Sequence, residues 1–95
     1  MRESEIEAHL VKRVKELGGE VRKVQWVGRN GAPDRLVMLP SIVQGRATDR
    51  TVWVELKAPG QKAKPHQLRE HERMRAMGQR VFVVDSIEGV EELLW

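Results

Sequence analysis

The chain has no cysteine among its 95 residues. Disulfides, thiolate metal sites and a cysteine nucleophile are thereby excluded, and a cytoplasmic, intracellular setting is expected. No apolar run approaches the roughly 20 residues that cross a bilayer, so no membrane partner is expected. The first residues, Met1-Arg2-Glu3-Ser4-Glu5, are charged and helical in character, without the apolar stretch or small-residue cleavage site of a secretory signal. Internal repeats and low-complexity segments are missing. So is any basic stretch interleaved with aromatics, the usual sign of stacking on bases. Charge of one sign is barely in excess: 17 Lys+Arg stand against 14 Asp+Glu, a net +3. That balance permits a polyanionic partner without demanding one, and a solvated surface of mixed charge would explain it equally well.

What remains is an ordinary globular mix, 40% hydrophobic and 33% charged, in a length that suits one domain. A domain this small buries a modest share of its surface, so a partner subunit or bound ion would add usefully to its stability.

Hydrophobic spacing predicts a helix over about Glu5 to Leu17, with Ile6, Leu10, Val14 and Leu17 as its apolar stripe. Ser4 is the expected N-cap and Gly18-Gly19 the stop. A Val-rich strand over Glu20 to Val27 follows, then a loop from Gly28 to Pro33 and a second strand, Asp34 to Leu39, ended by Pro40. Residues 41–50 form a connection of unassigned conformation and role. Thr51 to Lys57 is the clearest strand, β-branched and aromatic. After a basic loop, a helix begins near Pro65 and runs to about Met77 before Gly78. Val81 to Val84 is apolar enough to suggest a central strand covered on both faces. Asp85 or Ser86 caps a last short helix carrying Val90, Leu93 and Leu94. The expected fold is α/β: an antiparallel meander of three strands, a crossover helix into a fourth, and a mixed sheet flanked by helices.

Chemistry gathers at one end of that sheet. Glu55 and Lys57 lie two apart on a strand and share a face with Trp53, while Val52, Val54 and Leu56 face the core. Asp34 opens the preceding strand, and in a hairpin the start of one strand lies beside the end of the next. Asp34 and Glu55 should therefore meet, and two carboxylates together repel unless a cation lies between them. Oxygen donors of this kind suit Mg²⁺ or Mn²⁺. The plain alternative is that Glu-x-Lys is a solvated face and Pro-Asp a turn. Glu7 lies at the edge of the first stripe; by spacing it fits a capping box with Ser4 better than a further carboxylate at the ion. Gln67, in the first turn of the second helix, can orient a phosphate or a water or be a surface residue. His66 and His71 are five apart, a poor helical match for a shared metal; both are expected to be surface or partly buried, with no zinc site. Arg29 and Arg35 flank the Asp34 loop, and Lys57, Lys62, Lys64, Arg69 and Arg73 follow Glu55, where a phosphate backbone would dock. Arg69, Arg73 and Arg80 can instead pair with Glu70, Glu72 and Glu88.

Pro33-Asp34 followed by Glu55-Leu56-Lys57 resembles the signature of the PD-(D/E)xK nuclease superfamily, whose core is restriction-endonuclease-like. More narrowly, the chain resembles the virus-type replication–repair nucleases, VRR-NUC. The N-terminal helix with Glu7, the run Arg29-Asn30-Gly31-Ala32-Pro33-Asp34, the strand Val52 to Lys57, the Gln67 helix and the Val81–Val84 strand carry the likeness over nearly the whole chain. The resemblance implies a single stand-alone nuclease domain over residues 1–95, of the kind phages and some bacteria encode. It implies Asp34, Glu55, Glu7 and the Leu56 carbonyl as ligands of Mg²⁺ or Mn²⁺, which makes Glu7 a ligand in place of a cap. Lys57 would stabilise charge or orient the attacking water, and Gln67 would support the lysine or the scissile phosphate. Such an ion would lower the pKa of a water and offset phosphate charge, with in-line attack leaving a 3′-hydroxyl and a 5′-phosphate.

The expected activity is then metal-dependent cleavage of branched DNA, such as a Holliday junction, by a homodimer, since two symmetric cuts need two sites. Leu93, Leu94, Trp95 and Trp26 are candidates for its apolar surface, or equally for the core. A flap or nicking nuclease would keep the same site. A non-catalytic DNA-binding module or a structural partner in a larger complex are the rivals from other classes, and the complete signature counts against a decayed site.

Overall fold

The computed structural model describes residues 1–94. Its elements run α1 (Glu3–Glu16), β1 (Glu20–Lys23), β2 (Arg35–Met38), β3 (Ile42–Val43), β4 (Arg46–Ala47), β5 (Val52–Leu56), α2 (Pro65–Ala76), β6 (Val81–Val84) and α3 (Ile87–Leu93). Four strands make one sheet in the order β1-β2-β5-β6. The first three pair antiparallel and β5 pairs parallel with β6, as a helical crossover requires. The meander, the crossover and the mixed sheet are those expected.

Helix α1 forms because Ile6, Leu10 and Val14 recur every four residues, and all three are fully buried. They meet Val37, Val52, Val54, Leu56, Val84, Val90 and Leu93 in one core, which places α1 and α3 on the same face of the sheet. Each such side chain taken from water contributes about 1.5–3 kcal/mol. The helix starts earlier than the sequence suggests. Arg2 is the N-cap, and its backbone N–H donates to Glu5 Oε1 at 3.2 Å, so Ser4 lies inside the first turn. Leu17 is half-exposed because it is the C-cap residue, past the last turn of the stripe. Gly19 is required by a close approach: a Cβ there would lie 2.3 Å from the Met38 carbonyl oxygen.

Two further expectations, the end of β1 and the place of β6, are corrected, and the unassigned stretch between Pro40 and Thr51 takes a form. Strand β1 ends at Lys23, not Val27; Val24 N–H still donates to the Asp34 carbonyl at 2.9 Å, but the chain then leaves the sheet. Residues 41–50 contain a small separate hairpin, β3 with β4, turned at Gln44 and Gly45, both at positive φ. Strand β6 is an edge, not a centre: Val81 and Val84 are buried while Phe82 and Val83 are exposed. Its continuous apolar run does not separate a two-sided strand from an edge strand.

Ser86 caps α3, its Oγ accepting from Gly89 N–H at 2.9 Å. Leu93 lies in the core and Leu94, partly buried, packs against it, the core alternative for this pair. Trp95 lies outside the described residues. Among the described residues no helix is long and apolar enough to cross a membrane.

Candidate active site

Strands β2 and β5 pair with Arg35 opposite Val54 and Val37 opposite Val52. One step further along that register, Asp34 falls opposite Glu55. Alternation turns Glu55 and Lys57 away from the core, and their side chains are only 13% and 16% exposed. The Lys57 ammonium lies 3.9 Å from Glu55 Oε2. The Glu55 pKa is raised above the usual carboxylate range. Burial pushes it up, the Lys57 charge pulls it back, and the Asp34 carboxylate pushes it up again. Pro33 is next in register with Leu56 and has no N–H, so the Leu56 carbonyl receives no ladder bond from β2.

Glu7 does not cap its helix, since Glu5 does. It accepts instead from Arg35 Nε at 2.6 Å, and the guanidinium reaches on to Asp34 Oδ1 at 2.8 Å. Arg35 shares the strand parity of core residue Val37, which points it toward α1; its side chain is 14% exposed, not a surface cation awaiting DNA. Burial works against its charge, but the bonds to Glu7 and Asp34 outweigh this and hold its pKa above the ordinary value. Among the described residues no three acidic or histidine side chains stand together as a metal-binding group. The donors that fit a hard cation are the two carboxylates in register, Asp34 and Glu55, and the undonated Leu56 carbonyl. Glu7 would join them only by exchanging Arg35 for the ion.

The buried face of α2 carries polar groups. His71 is fully buried, contrary to its expected surface or partly buried position, and neither ring nitrogen has a hydrogen-bond partner among the described residues. Its Nε2 lies 3.7 Å from Glu55 Oε1, which places α2 on the Glu55 face of the sheet, opposite α1. Burial lowers the His71 pKa, with the Arg75 charge adding to the effect; Glu70 works against it, and the Gly31 backbone reaches toward the ring, short of a well-formed bond. Gln67 and His71 are four apart and so share a helix face, a spacing that could have revealed the second from the first. His66 is exposed, as expected. Gln67 is half-buried and its Oε1 accepts from Lys64 N–H at 2.8 Å, holding the helix start. Glu70, also buried, pairs with Arg73 at 2.8 Å and Arg29 at 3.4 Å. Arg80 donates to the carbonyls of Asp49 and Thr51 rather than to Glu88. Lys62, Lys64 and Arg69 are exposed, and Lys62 lines a separate cleft of about 310 Å³ beside Leu68 and Val83.

Gly31 joins the two halves of the site. At φ +83° a Cβ there would lie 2.8 Å from the His66 carbonyl oxygen, so only glycine lets the loop before Asp34 lie against the start of α2.

An antiparallel meander crossing by a helix into a parallel strand, with Pro33-Asp34 and Glu55-Leu56-Lys57 at one end of its two central strands, is the core of a PD-(D/E)xK nuclease. The chain is 44% identical to a solved structure described as a VRR_NUC domain, superposing with a TM-score of 0.79 over 97% of this chain and 92% of that one. It is 48% identical over 86 residues to "Putative nuclease p44" of Acyrthosiphon pisum secondary endosymbiont phage 1, spanning 90% of this chain and 85% of that protein. No family model matches. The chain belongs to the VRR-NUC family.

Proposed function

We propose that this protein is an Mg²⁺- or Mn²⁺-dependent endodeoxyribonuclease that hydrolyses phosphodiester bonds in branched DNA, acting on four-way junctions as a homodimer. The observation that carries the reading is the pairing of Asp34 with Glu55 in register, with the Lys57 ammonium 3.9 Å from the second carboxylate. Asp34, Glu55 and the Leu56 carbonyl would hold the ion, joined by Glu7 when Arg35 releases it. The bound ion would supply a water of lowered pKa and neutralise charge on the phosphate. Lys57, its Nζ 3.9 Å from Glu55 Oε2, faces charge that develops on the phosphoryl oxygens. Gln67 keeps its helix start with Oε1, which leaves its amide N–H₂ to donate to the scissile phosphate. Arg29, Lys62, Lys64 and Arg69 supply exposed charge for neighbouring phosphates.

The test is incubation of the purified chain with labelled junction, flap and linear duplex, each with Mg²⁺ or Mn²⁺. Paired cuts in the junction are expected, abolished in Asp34→Ala and Lys57→Ala. Equal rates on the three substrates would remove the junction preference. No cutting with either ion would leave a DNA-binding module.

A further inference from the structure

On the β1 side of Asp34, the segment that leaves the sheet after Lys23 walls a cleft of about 660 Å³, lined by Lys23, Trp26, Arg29, Ala32 and Asp34 among others. That volume lies within the roughly 300–1,000 Å³ of sites that seat small organic groups. Its aromatic wall is fixed. Trp26 Nε1 donates to the Pro33 carbonyl at 2.8 Å, and the ring lies 5.2 Å from that of Trp53, tilted by 47°. Even so, Trp26 stays 36% exposed. The bond from Val24 N–H to the Asp34 carbonyl makes the wall and the carboxylate one unit. Arg29 is held at the cleft by its pairing with buried Glu70. The core does not use Trp26, and the hydrolytic site does not use Lys23.

The cleft thus offers an exposed indole together with the Arg29 cation, next to the proposed ion-binding carboxylate. A nucleotide presents the complementary set: a base with a π-face, and a phosphate beside its sugar. A paired base has both faces covered by its neighbours in the stack, so only an unpaired one can lie against an indole. We propose that the cleft seats an unpaired nucleotide of the strand adjoining the scissile phosphate, its base stacked on Trp26 and a neighbouring phosphate met by Arg29. The inference rests on the nuclease reading, because Asp34 sets the position of that phosphate. Stacking on a π-face tolerates every base, so the cleft would select for local unpairing and not for sequence. It supplies in three dimensions the aromatic and basic combination that the linear sequence lacks.

Binding of forked DNA in EDTA, where no strand is cut, tests this while one abasic residue is walked through the unpaired arm. Affinity is expected to fall about tenfold when the abasic residue occupies the one or two positions nearest the branch, and to hold level elsewhere. Trp26→Ala should bind intact DNA about tenfold more weakly and lose the positional dip, while Trp26→Phe keeps the dip. A level walk with the unaltered chain overturns the proposal without reliance on any variant's folding. So does a Trp26→Ala protein that retains the dip. Cleavage of the same DNA in Mg²⁺ is scored separately. Cutting with a level walk removes the cleft and leaves the nuclease; a dip with no cutting of either the fork or a four-way junction removes the nuclease and leaves a nucleotide site.

Discussion

Arg35 binds Glu7 through Nε at 2.6 Å while also bridging to Asp34, so one guanidinium balances two of the three carboxylates expected at the ion. Removing it leaves two partly buried acids without their cation. Arg35→Ala should destabilise the metal-free protein by about 1–3 kcal/mol in urea titrations. Saturating Mn²⁺ should recover much of that loss, because the ion then binds a site from which a competing charge has been taken. An equal loss with and without Mn²⁺ would mean that Arg35 and the ion do not share the same acids.

Glu55 gives a prediction of opposite sign. Its pKa is raised in the fold, so below the ordinary carboxylate range the native state holds a proton as readily as the unfolded chain. As pH climbs through the folded value, the unfolded chain ionises more easily and stability declines, then levels. Glu55→Gln removes the charge and keeps the shape. It should melt at or above the unaltered protein near neutral pH without metal, by an amount of order 1 kcal/mol or roughly 4–8 °C in a domain this small. The two should converge in acid, and the variant should cut DNA orders of magnitude more slowly. A lower melting temperature for the variant at neutral pH would show the carboxylate to be a stabilising group.

The apolar spacings made most of this architecture legible. Ile6-Leu10-Val14 gave α1, and the alternation of Val52, Val54 and Leu56 gave both the β5 core face and, by exclusion, the face of Glu55 and Lys57. What stayed hidden depends on where strands end and what covers them. The apolar run of β6 carries no mark of an edge. Arg35 stands next to Asp34 in sequence, but strand parity turns the two side chains to opposite faces, and only the pairing of β2 shows that. His71 reads as surface or partly buried because α2 has few apolar residues to trace a stripe; its buried face is made of Glu70, His71 and Met74. Trp26 continues the Val-rich pattern of β1, but the strand itself stops three residues earlier, at Lys23.

Buried His71 should show in the acid limb of stability. Its pKa is lowered in the fold, so as pH falls below about 6.5 the unfolded chain takes up a proton that the native ring refuses, and stability drops until the folded value is reached. His71→Leu removes this proton and two unpartnered ring nitrogens. The variant should match or exceed the unaltered protein at pH 5.5 and differ from it by less than about 1 kcal/mol at pH 7.5, measured in EDTA. A constant offset between the two across this range would show that the buried ring does not carry the pH dependence.

Gly31 tests whether the loop before Asp34 must lie against α2. Alanine there meets two penalties, a left-handed backbone at φ +83° and a Cβ 2.8 Å from the His66 carbonyl oxygen. The contact is with backbone at a helix start, which cannot swing aside as a side chain would. Gly31→Ala should therefore destabilise the protein by about 1–3 kcal/mol. It should also weaken Mn²⁺ binding in calorimetry, because the loop that strains ends on Asp34. Gly28, at φ +74° with open space around its Cβ position, supplies the control. Gly28→Ala carries the backbone cost alone, of about 1 kcal/mol, and should leave Mn²⁺ affinity in place. If both variants lose affinity equally, the contact with α2 is not what positions the carboxylate.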